Sequence, residues 1–256
     1  MAKTALVTGF SSNLGKHISQ SLVDAGYVVY AGGRKINGVT IPSKKINLLE
    51  LDITSDASCT AAVAQIAKES KRLDVLINVA GMTLTGPFDS FTAKVFLGML
   101  DINVVGAFRL TKAAIPIMSS GYIINISSLS GFMSSPNYAL YSASKHALQA
   151  WAWAAAVELH PKNIHLVSLA TGALLGSSIS PMSHKPARQA IPFLAKLLPL
   201  TSPSQVAERI ITIINDPSPA PLILIGRDSQ VMYIIQKIVP SSIWFGIQNW
   251  LWQKQQ

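Results

Sequence analysis

Residues 3 to 15 read KTALVTGFSSNLG, and this stretch decides the fold. A short apolar run typical of a strand ends at Gly9, and Gly15 follows at the start of a helical pattern that carries Ile18 and Leu22 on one side. Glycines at such a turn allow a tight bend and let the backbone approach a pyrophosphate, whose charge is favoured by the free N–H groups of the helix start. The stretch therefore predicts a strand, a phosphate-binding loop and a helix.

Six further apolar runs alternate with longer helical patterns along the chain. They lie at residues 27–31, 46–51, 73–78, 122–127, 164–169 and 221–225. Most are continuously apolar, as strands of a parallel sheet covered on both faces are. We predict an α/β fold, a Rossmann-like doubly wound seven-stranded parallel sheet with helices on both faces. The crossover between Arg34 and Asp52 has little helical periodicity, so its helix is expected to be short or missing.

Length and composition favour one globular unit. Of 256 residues, 49% are hydrophobic and 13% charged, which excludes disordered, collagen-like and coiled-coil chains. No linker or repeat divides the sequence, so we expect a single dinucleotide-binding domain over residues 1–256. Cys59 is the only cysteine and the N-terminus shows no export signal, which together predict a cytoplasmic protein without a metal site.

The positive charge carries little information by itself. Lys and Arg number 21 against 12 Asp and Glu, giving +9, with a local concentration at Arg34, Lys35, Lys44 and Lys45. No zinc-finger, basic-zipper or RNA-recognition signature accompanies it, so we expect no nucleic-acid partner.

The segment Tyr141-Ser142-Ala143-Ser144-Lys145 opens a predicted helix and carries the strongest chemical signal. Four residues make about one turn, so Tyr141 and Lys145 share a face, where the ammonium is expected to lower the phenol pKa. Ser128 lies thirteen residues earlier, just after the fifth strand, where a hydroxyl can hydrogen-bond a substrate oxygen. Its neighbour Ser127 is the competing assignment.

These residues resemble the short-chain dehydrogenase/reductase family over residues 3 to about 226. Its glycine motif, T-G-x-x-x-G-x-G, matches residues 8–15 except that Asn13 replaces the middle glycine, a replacement expected to keep a left-handed backbone. The resemblance implies hydride transfer at a carbonyl or carbinol carbon. Tyr141 would be the general acid/base, Ser128 would hold the oxygen, Lys145 would tune Tyr141, and Asn103, in DINVVGAF, would support a proton relay.

The resemblance also places a cofactor. The second strand ends in AGGR, where Gly33 leaves room and Arg34 supplies a bidentate donor for a 2′-phosphate, so the cofactor is predicted to be NADP(H). Asp52 matches the family's adenine contact, NVAG at 78–81 its N-N-A-G motif, and Thr171-Gly172 its P-G motif near the nicotinamide. The predicted cofactor-binding residues are Gly9, Ser11, Ser12, Asn13, Leu14, Gly15, Arg34, Asp52, Ile53, Asn78, Ala80, Gly81, Tyr141, Lys145, Thr171 and Gly172.

Two further segments concern the substrate and the surroundings. Residues from about 174 to 200 are apolar and interrupted by prolines, which predicts a substrate lid over a small hydrophobic ketone, aldehyde or secondary alcohol, with a weak similarity to hydroxysteroid and retinol dehydrogenases. In the tail, about 229–256, Val231, Ile234, Ile235 and Ile238 have helical spacing that Pro240 breaks.

The tail also holds Trp244, Phe245, Trp250 and Trp252 near two lysines. Burial against the pocket or a sister subunit and peripheral membrane contact are both open interpretations of this composition. The family resemblance implies a homodimer or homotetramer. A cofactor-binding sensor or scaffold with little turnover is the alternative function, because Asn13, Val79 and Thr171 depart from the family motifs.

Overall fold

The computed structural model of the chain describes residues 2–36, 38, 41, 43–176, 180–183 and 199–254. One sheet contains seven strands: β1 (Thr4–Thr8), β2 (Val28–Gly33), β3 (Ile46–Glu50), β4 (Val75–Asn78), β5 (Gly121–Ser128), β6 (Ile164–Thr171) and β7 (Leu222–Ile225). The strand order is β3-β2-β1-β4-β5-β6-β7, and all neighbouring strands are parallel. The predicted doubly wound sheet is confirmed.

Helices cover both faces of this sheet. They are α1 (Asn13–Asp24), α2 (Asp56–Ser70), α3 (Ala93–Leu100), α4 (Gly106–Ala114), α5 (Ala139–Leu159), α6 (Pro203–Ile214), α7 (Arg227–Ile238) and α8 (Ser241–Gln253), with a π-helical turn, Asp101–Val105, joining α3 to α4. One buried cluster joins α1 and α6 to the sheet, and a second joins α2, α4 and α5 to it. These two apolar layers bury both faces of the sheet, which explains why its strands are continuously apolar.

Local sequence explains several helix ends. The Ser12 and Ser55 hydroxyls cap α1 and α2 by accepting backbone N–H groups, and α2 ends at Lys71 in a left-handed conformation. The α6 start is a capping box between Ser202 and Gln205. At the tail, α7 ends at Ile238 and Pro240 precedes α8, where the spacing predicts the break.

The strand ends differ from the sequence prediction in a way that matters for function. Strand β5 continues one residue and strand β6 two residues beyond the predicted ends, because ladder pairing extends to Ser128 and Thr171. Between β2 and β3, the described residues form no helix. Strand order reverses between β1 and β4, and ligands of such sheets bind at the carboxyl ends beside that switch point.

The described residues do not test the predictions of a single domain and of a substrate lid. That the whole chain is one domain stays a prediction. Most of the predicted lid lies outside the described residues, namely 177–179 and 184–198. Within the part of the chain that the structure describes, no helix combines the length and apolar character needed to span a bilayer.

Candidate active site

The carboxyl ends of the strands bring Tyr141, Ser128 and Lys145 together. Tyr141 and Lys145 lie one turn apart at the start of α5, and Ser128 is the last residue of β5. The Ser128 hydroxyl hydrogen-bonds the phenol of Tyr141, a partly buried residue. The Lys145 ammonium lies 5.8 Å from the centre of the Tyr141 ring and donates to the Ile126 carbonyl oxygen at 2.9 Å. Three groups suited to proton transfer therefore lie within one side chain's reach of each other.

The structure distinguishes the two candidate serines. Ser127 is buried, and its hydroxyl accepts a hydrogen bond from Gln149 Nε2 at 3.0 Å. The Ser128 hydroxyl contacts both Tyr141 and, at 3.1 Å, the Ser130 backbone N–H. Ser128 is thus the serine that meets the phenol.

Burial dominates the electrostatics of this group. It raises the pKa of Tyr141, and the hydroxyls of Ser128 and Thr83 lower it by a smaller amount. The direction is opposite to the lowering expected from Lys145, because desolvation of the phenol has the largest effect on its pKa. Burial also lowers the pKa of the Lys145 ammonium, from 10.5 to about 8. The phenol is therefore protonated at neutral pH, and the ammonium loses its proton at unusually low pH.

Asn103 joins the loop after β4 to helix α5. It lies buried in the π-helical turn, where its Nδ2 donates to Met82 O at 2.9 Å and to Ser144 Oγ at 3.0 Å. Its Oδ1 accepts from the Met82 N–H at 2.8 Å. A side chain at Gly81 would meet Asn103 Oδ1 at 3.2 Å and Lys145 Nζ at 3.9 Å, so the glycine keeps this space open.

The loop between β1 and α1 has a cradle that only glycine permits. Ser12 Oγ donates to Gly9 O at 2.8 Å and accepts from Gly15 N at 3.0 Å. An added Cβ at Gly15 would lie 2.4 Å from the Gly9 carbonyl oxygen, and Gly9 itself has a φ of +68°. Asn13 is the first residue of α1 and is not among the described residues with positive φ. The expected left-handed backbone at Asn13 is therefore wrong, because this position already follows helical geometry.

Hydrogen bonds join the loop after β4 to the end of β1, where the loop between β1 and α1, here called the cofactor loop, begins. The Thr8 hydroxyl accepts from the backbone N–H groups of Val79 and Ala80, each at 2.9 Å. The buried Asn78 amide donates to Asn125 Oδ1 at 2.8 Å and to Thr111 Oγ1 at 3.3 Å. Its side chain thus supports the strand ends from below instead of lining the cleft.

Arg34, Asp52 and Ile53 lie at the other end of the site, past β2 and β3. Arg34 is exposed and close enough to Asp52 to lower the pKa of its carboxyl, although hydrogen bonds from Thr54 contribute more. Ile53 is buried and would meet any side chain added at Gly106. None of the three lines the cleft beside Tyr141.

That cleft has a volume of about 310 Å³, at the lower end for small-molecule sites. Its walls are the cofactor loop, the loop after β4, the ends of β5 and β6, and the segment that follows β6. The lining residues are Ser11, Ser12, Asn13, Leu14, Val79, Gly81, Met82, Thr83, Ile126, Ser127, Tyr141, Lys145, Thr171, Leu174, Leu175, Gly176 and Pro203. The closely packed glycines at a capped helix start fit a dinucleotide phosphate.

Two functional positions escaped the sequence analysis. The Thr83 hydroxyl contacts the Tyr141 phenol, and the Thr83 carbonyl oxygen accepts a hydrogen bond from Ser180 N at 2.9 Å. The position of Thr83 two residues after Gly81 is a sequence signal that could have indicated it. Asp228, on α7, is buried and accepts the Ala173 N–H at 2.6 Å. A Cβ at Gly172 would lie 1.8 Å from an Asp228 oxygen. No local pattern marks that long-range contact.

Comparison with known proteins identifies the family of the chain. The family model "short chain dehydrogenase" matches residues 3–185. A 3-ketodihydrosphingosine reductase of Bacteroides thetaiotaomicron is 38% identical over 173 residues, which span 65% of this chain and 62% of that protein. A cyclopentanol dehydrogenase of Comamonas sp. is 33% identical over 182 residues, 67% of this chain and 73% of that protein.

Solved structures show the same architecture. A short-chain dehydrogenase from Streptomyces avermitilis superposes with a TM-score of 0.81 at 25% identity, covering 98% of this chain and 96% of that one. A 3-ketoacyl-(acyl-carrier-protein) reductase from Brucella melitensis, complexed with NADH, shares the fold at 21% identity, with a TM-score of 0.78 over 89% of this chain and 98% of that one.

The fold and the site define a nicotinamide-dependent oxidoreductase of alcohol and ketone groups. The chain belongs to the short-chain dehydrogenase/reductase family. The sensor or scaffold alternative is not favoured, because the relatives named above are a reductase and a dehydrogenase.

Proposed function

We propose that this protein is an NADPH-dependent reductase of a hydrophobic ketone or aldehyde, with oxidation of the corresponding secondary alcohol as the reverse reaction. The observation that carries the proposal is the contact between the Tyr141 phenol and the Ser128 hydroxyl, one helical turn from the Lys145 ammonium. Such a group can give a proton to an oxygen and stabilise the charge that develops on it.

The side chains divide the proton chemistry between them. The loop from Gly9 to Gly15 would hold a reduced nicotinamide cofactor, which would supply the hydride for reduction of the carbonyl carbon. Tyr141 Oη gives its proton to the carbonyl oxygen, and Ser128 donates a hydrogen bond to the same oxygen. Because burial keeps the phenol protonated at neutral pH, the residue is in the form that reduction needs. Lys145 returns a proton to the phenolate, and Asn103 holds the Met82 backbone and Ser144 in place beside it.

The cofactor proposal assigns the phosphates to the loop from Gly9 to Gly15 and the adenine end to Asp52 and Ile53. Arg34 is proposed to bind the 2′-phosphate, supported by its exposure and by its position directly after β2, a strand that contains no acidic residue. Asn78, Ala80, Gly81, Thr171 and Gly172 are proposed to shape the nicotinamide end.

An Arg34→Ala variant tests the cofactor preference. Loss of charge-assisted hydrogen bonds worth about 1.5 to 3 kcal/mol predicts a KM for NADPH about 10- to 100-fold higher, with the KM for NADH little changed. The neighbouring exposed Lys35→Ala serves as the control. If Arg34→Ala and Lys35→Ala gave the same KM for NADPH, the specificity assignment would be withdrawn.

The substrate proposal rests on the apolar wall of Met82, Leu174 and Leu175 and on the relative named for 3-ketodihydrosphingosine, a long-chain ketone. We therefore place long-chain 3-ketones first among the candidates and cyclic ketones, suggested by the cyclopentanol relative, second. Leu175 N donates to Thr201 O at 2.9 Å, so described residues on either side of the predicted lid contact each other.

A homodimer or homotetramer and a cytoplasmic location complete the proposal. Exposed apolar side chains on α4 and α5, namely Phe108, Trp153 and Val157, support self-association. The buried free thiol of Cys59 supports a reducing compartment.

Turnover of NADPH with a panel of ketones tests the chemistry. Tyr141→Phe is expected to lower kcat at least about 100-fold while NADPH still binds, because only the transferable proton is lost. Tyr138→Phe is the matched control, since its ring lies 6.4 Å from that of Tyr141 on the same helix start. Equal rates for wild type and Tyr141→Phe would eliminate the proposed role of the phenol.

A further inference from the structure

Helix α8 carries an apolar stripe that faces away from the rest of the protein. Ile243, Ile247 and Trp250 follow one another at intervals of four and three residues, so they lie on one side of the helix. Their exposed fractions are 56%, 40% and 54%. Lys254 continues the stripe one turn further, with its ammonium 4.1 Å from the centre of the Trp250 ring. We define these four residues as the outer stripe.

A different side of α8 holds the helix in place. Trp244 packs against the buried cluster that contains Phe132 and Met133, in the loop after Ser128. Gln248 Nε2 donates to the Ser134 carbonyl oxygen at 2.6 Å. Because these contacts dock the helix, the exposure of the outer stripe is a property of the folded protein and does not require the helix to detach.

The sequence segment that contains the outer stripe carries only positive charges. No acidic residue follows Asp228 in the sequence, whereas Lys237 and Lys254 lie in this region and the whole chain has a net charge of +9. Helix α7 adds two exposed apolar side chains, Ile234 and Ile238. Tryptophan, aliphatic residues and lysine without acids form the composition of helices that lie in the headgroup region of a membrane.

We propose that the outer stripe of α8, with Lys237, docks on an anionic lipid bilayer. Apolar side chains and Trp250 would enter the boundary between headgroups and acyl chains, while the ammonium groups meet lipid phosphates. A second copy of the chain is a poorer occupant, since a symmetric pair would bring together two faces that carry lysines and no acids. The docking does not depend on the reaction proposed above, because it involves neither the cleft nor the cofactor.

Vesicle flotation of the full-length protein tests the docking. We expect the wild type to partition at least about tenfold better into phosphatidylcholine vesicles that contain about 30% phosphatidylglycerol than into phosphatidylcholine alone. Ile247→Asn/Trp250→Gln should lower that partition at least about tenfold, because it removes buried apolar area and the aromatic anchor. The matched control is Leu97→Asn/Phe88→Gln, at two apolar side chains outside α7 and α8 that are 64% and 77% exposed.

Charge substitutions test the electrostatic part. Lys237→Gln and Lys254→Gln should each weaken partition about fivefold, the effect of about one lysine at an anionic surface, whereas Lys94→Gln on α3 should change nothing. Circular dichroism and NADPH turnover of each variant show that the fold is kept. Any of three results would overturn the proposal: no flotation of the wild type, equal flotation of the stripe variant and its control, or equal binding to neutral and anionic vesicles. Light scattering that shows a smaller assembly for the stripe variant, with no flotation of the wild type, would instead assign the face to a second copy.

Discussion

The buried ammonium of Lys145 should make the protein less stable than it would be with a neutral side chain there. Lys145 is 7% exposed, and burial lowers its pKa from 10.5 to about 8. A difference of that size corresponds to about 3 kcal/mol, at about 1.4 kcal/mol for each pH unit. The substitution Lys145→Met keeps much of the volume, removes the charge and loses the 2.9 Å hydrogen bond to Ile126 O, at a cost of about 1 kcal/mol. The variant should therefore gain about 2 kcal/mol in the free energy of unfolding near pH 6.

The stability difference between Lys145→Met and the wild type should depend on pH. Between the two pKa values the unfolded chain binds a proton that the folded chain has released, so the wild type becomes more stable as pH rises from 8 to 10.5. The advantage of Lys145→Met is full below about pH 7.5, shrinks through this window, and reverses above pH 10.5, where only the lost hydrogen bond counts. Its reductase activity should be lost at every pH, because the substitution removes the proton donor to the phenolate.

Urea unfolding between about pH 6 and 10, followed by tryptophan fluorescence without cofactor, measures this difference. The control is Lys162→Met at an exposed lysine, for which the change should stay within about 0.5 kcal/mol. A Lys145→Met variant less stable than the wild type at pH 6, or a stability difference that does not vary with pH, would refute the reasoning.

Three further substitutions or reactions follow from the geometry. Gly15→Ala would place a methyl group 2.4 Å from a backbone oxygen, so NADPH should bind at least about tenfold more weakly by fluorescence titration, whereas Gly98→Ala, which meets nothing within 4 Å, should leave binding unchanged. Thr83→Val removes a hydroxyl that lowers the pKa of Tyr141, and the pH profile of alcohol oxidation should move to higher pH; an unmoved profile would contradict the contact. Burial raises the pKa of the Cys59 thiol to about 11, so iodoacetamide should label the native protein slowly at pH 8 and the urea-unfolded protein quickly.

The sequence predicts well the strands and loop contacts that depend on residues close together in the chain. All seven strands follow from apolar runs bounded by turns, and the end of the fifth run together with the thirteen-residue spacing to Tyr141 indicates Ser128, with Ser127 as the competing assignment. The glycine cradle also has a local cause, since Gly9, Ser12 and Gly15 contact one another within a single loop. In each of these cases the partner residues are close in sequence, so spacing alone constrains their geometry.

What escaped prediction depends on contacts between distant segments. The raised pKa of Tyr141 results from burial, which spacing between Tyr141 and Lys145 does not reveal. Asn103 was predicted on family resemblance, but its bonds to Met82 and Ser144 span 21 and 41 residues. Chemistry can be inferred from residue types, whereas the solvent exposure that tunes it depends on the tertiary packing of several elements.

Gly172 shows how a role in packing can be mistaken for a role in cofactor binding. The family resemblance assigns this glycine to the nicotinamide end of the site, yet a Cβ here would lie 1.8 Å from the Asp228 carboxylate. That carboxylate accepts the Ala173 N–H at 2.6 Å, joining the end of β6 to the start of α7 across 55 residues. The absence of a side chain at position 172 is therefore required by packing even before a cofactor binds. It follows that loss of cofactor binding in a Gly172 variant would say nothing about a direct contact unless its stability were measured alongside.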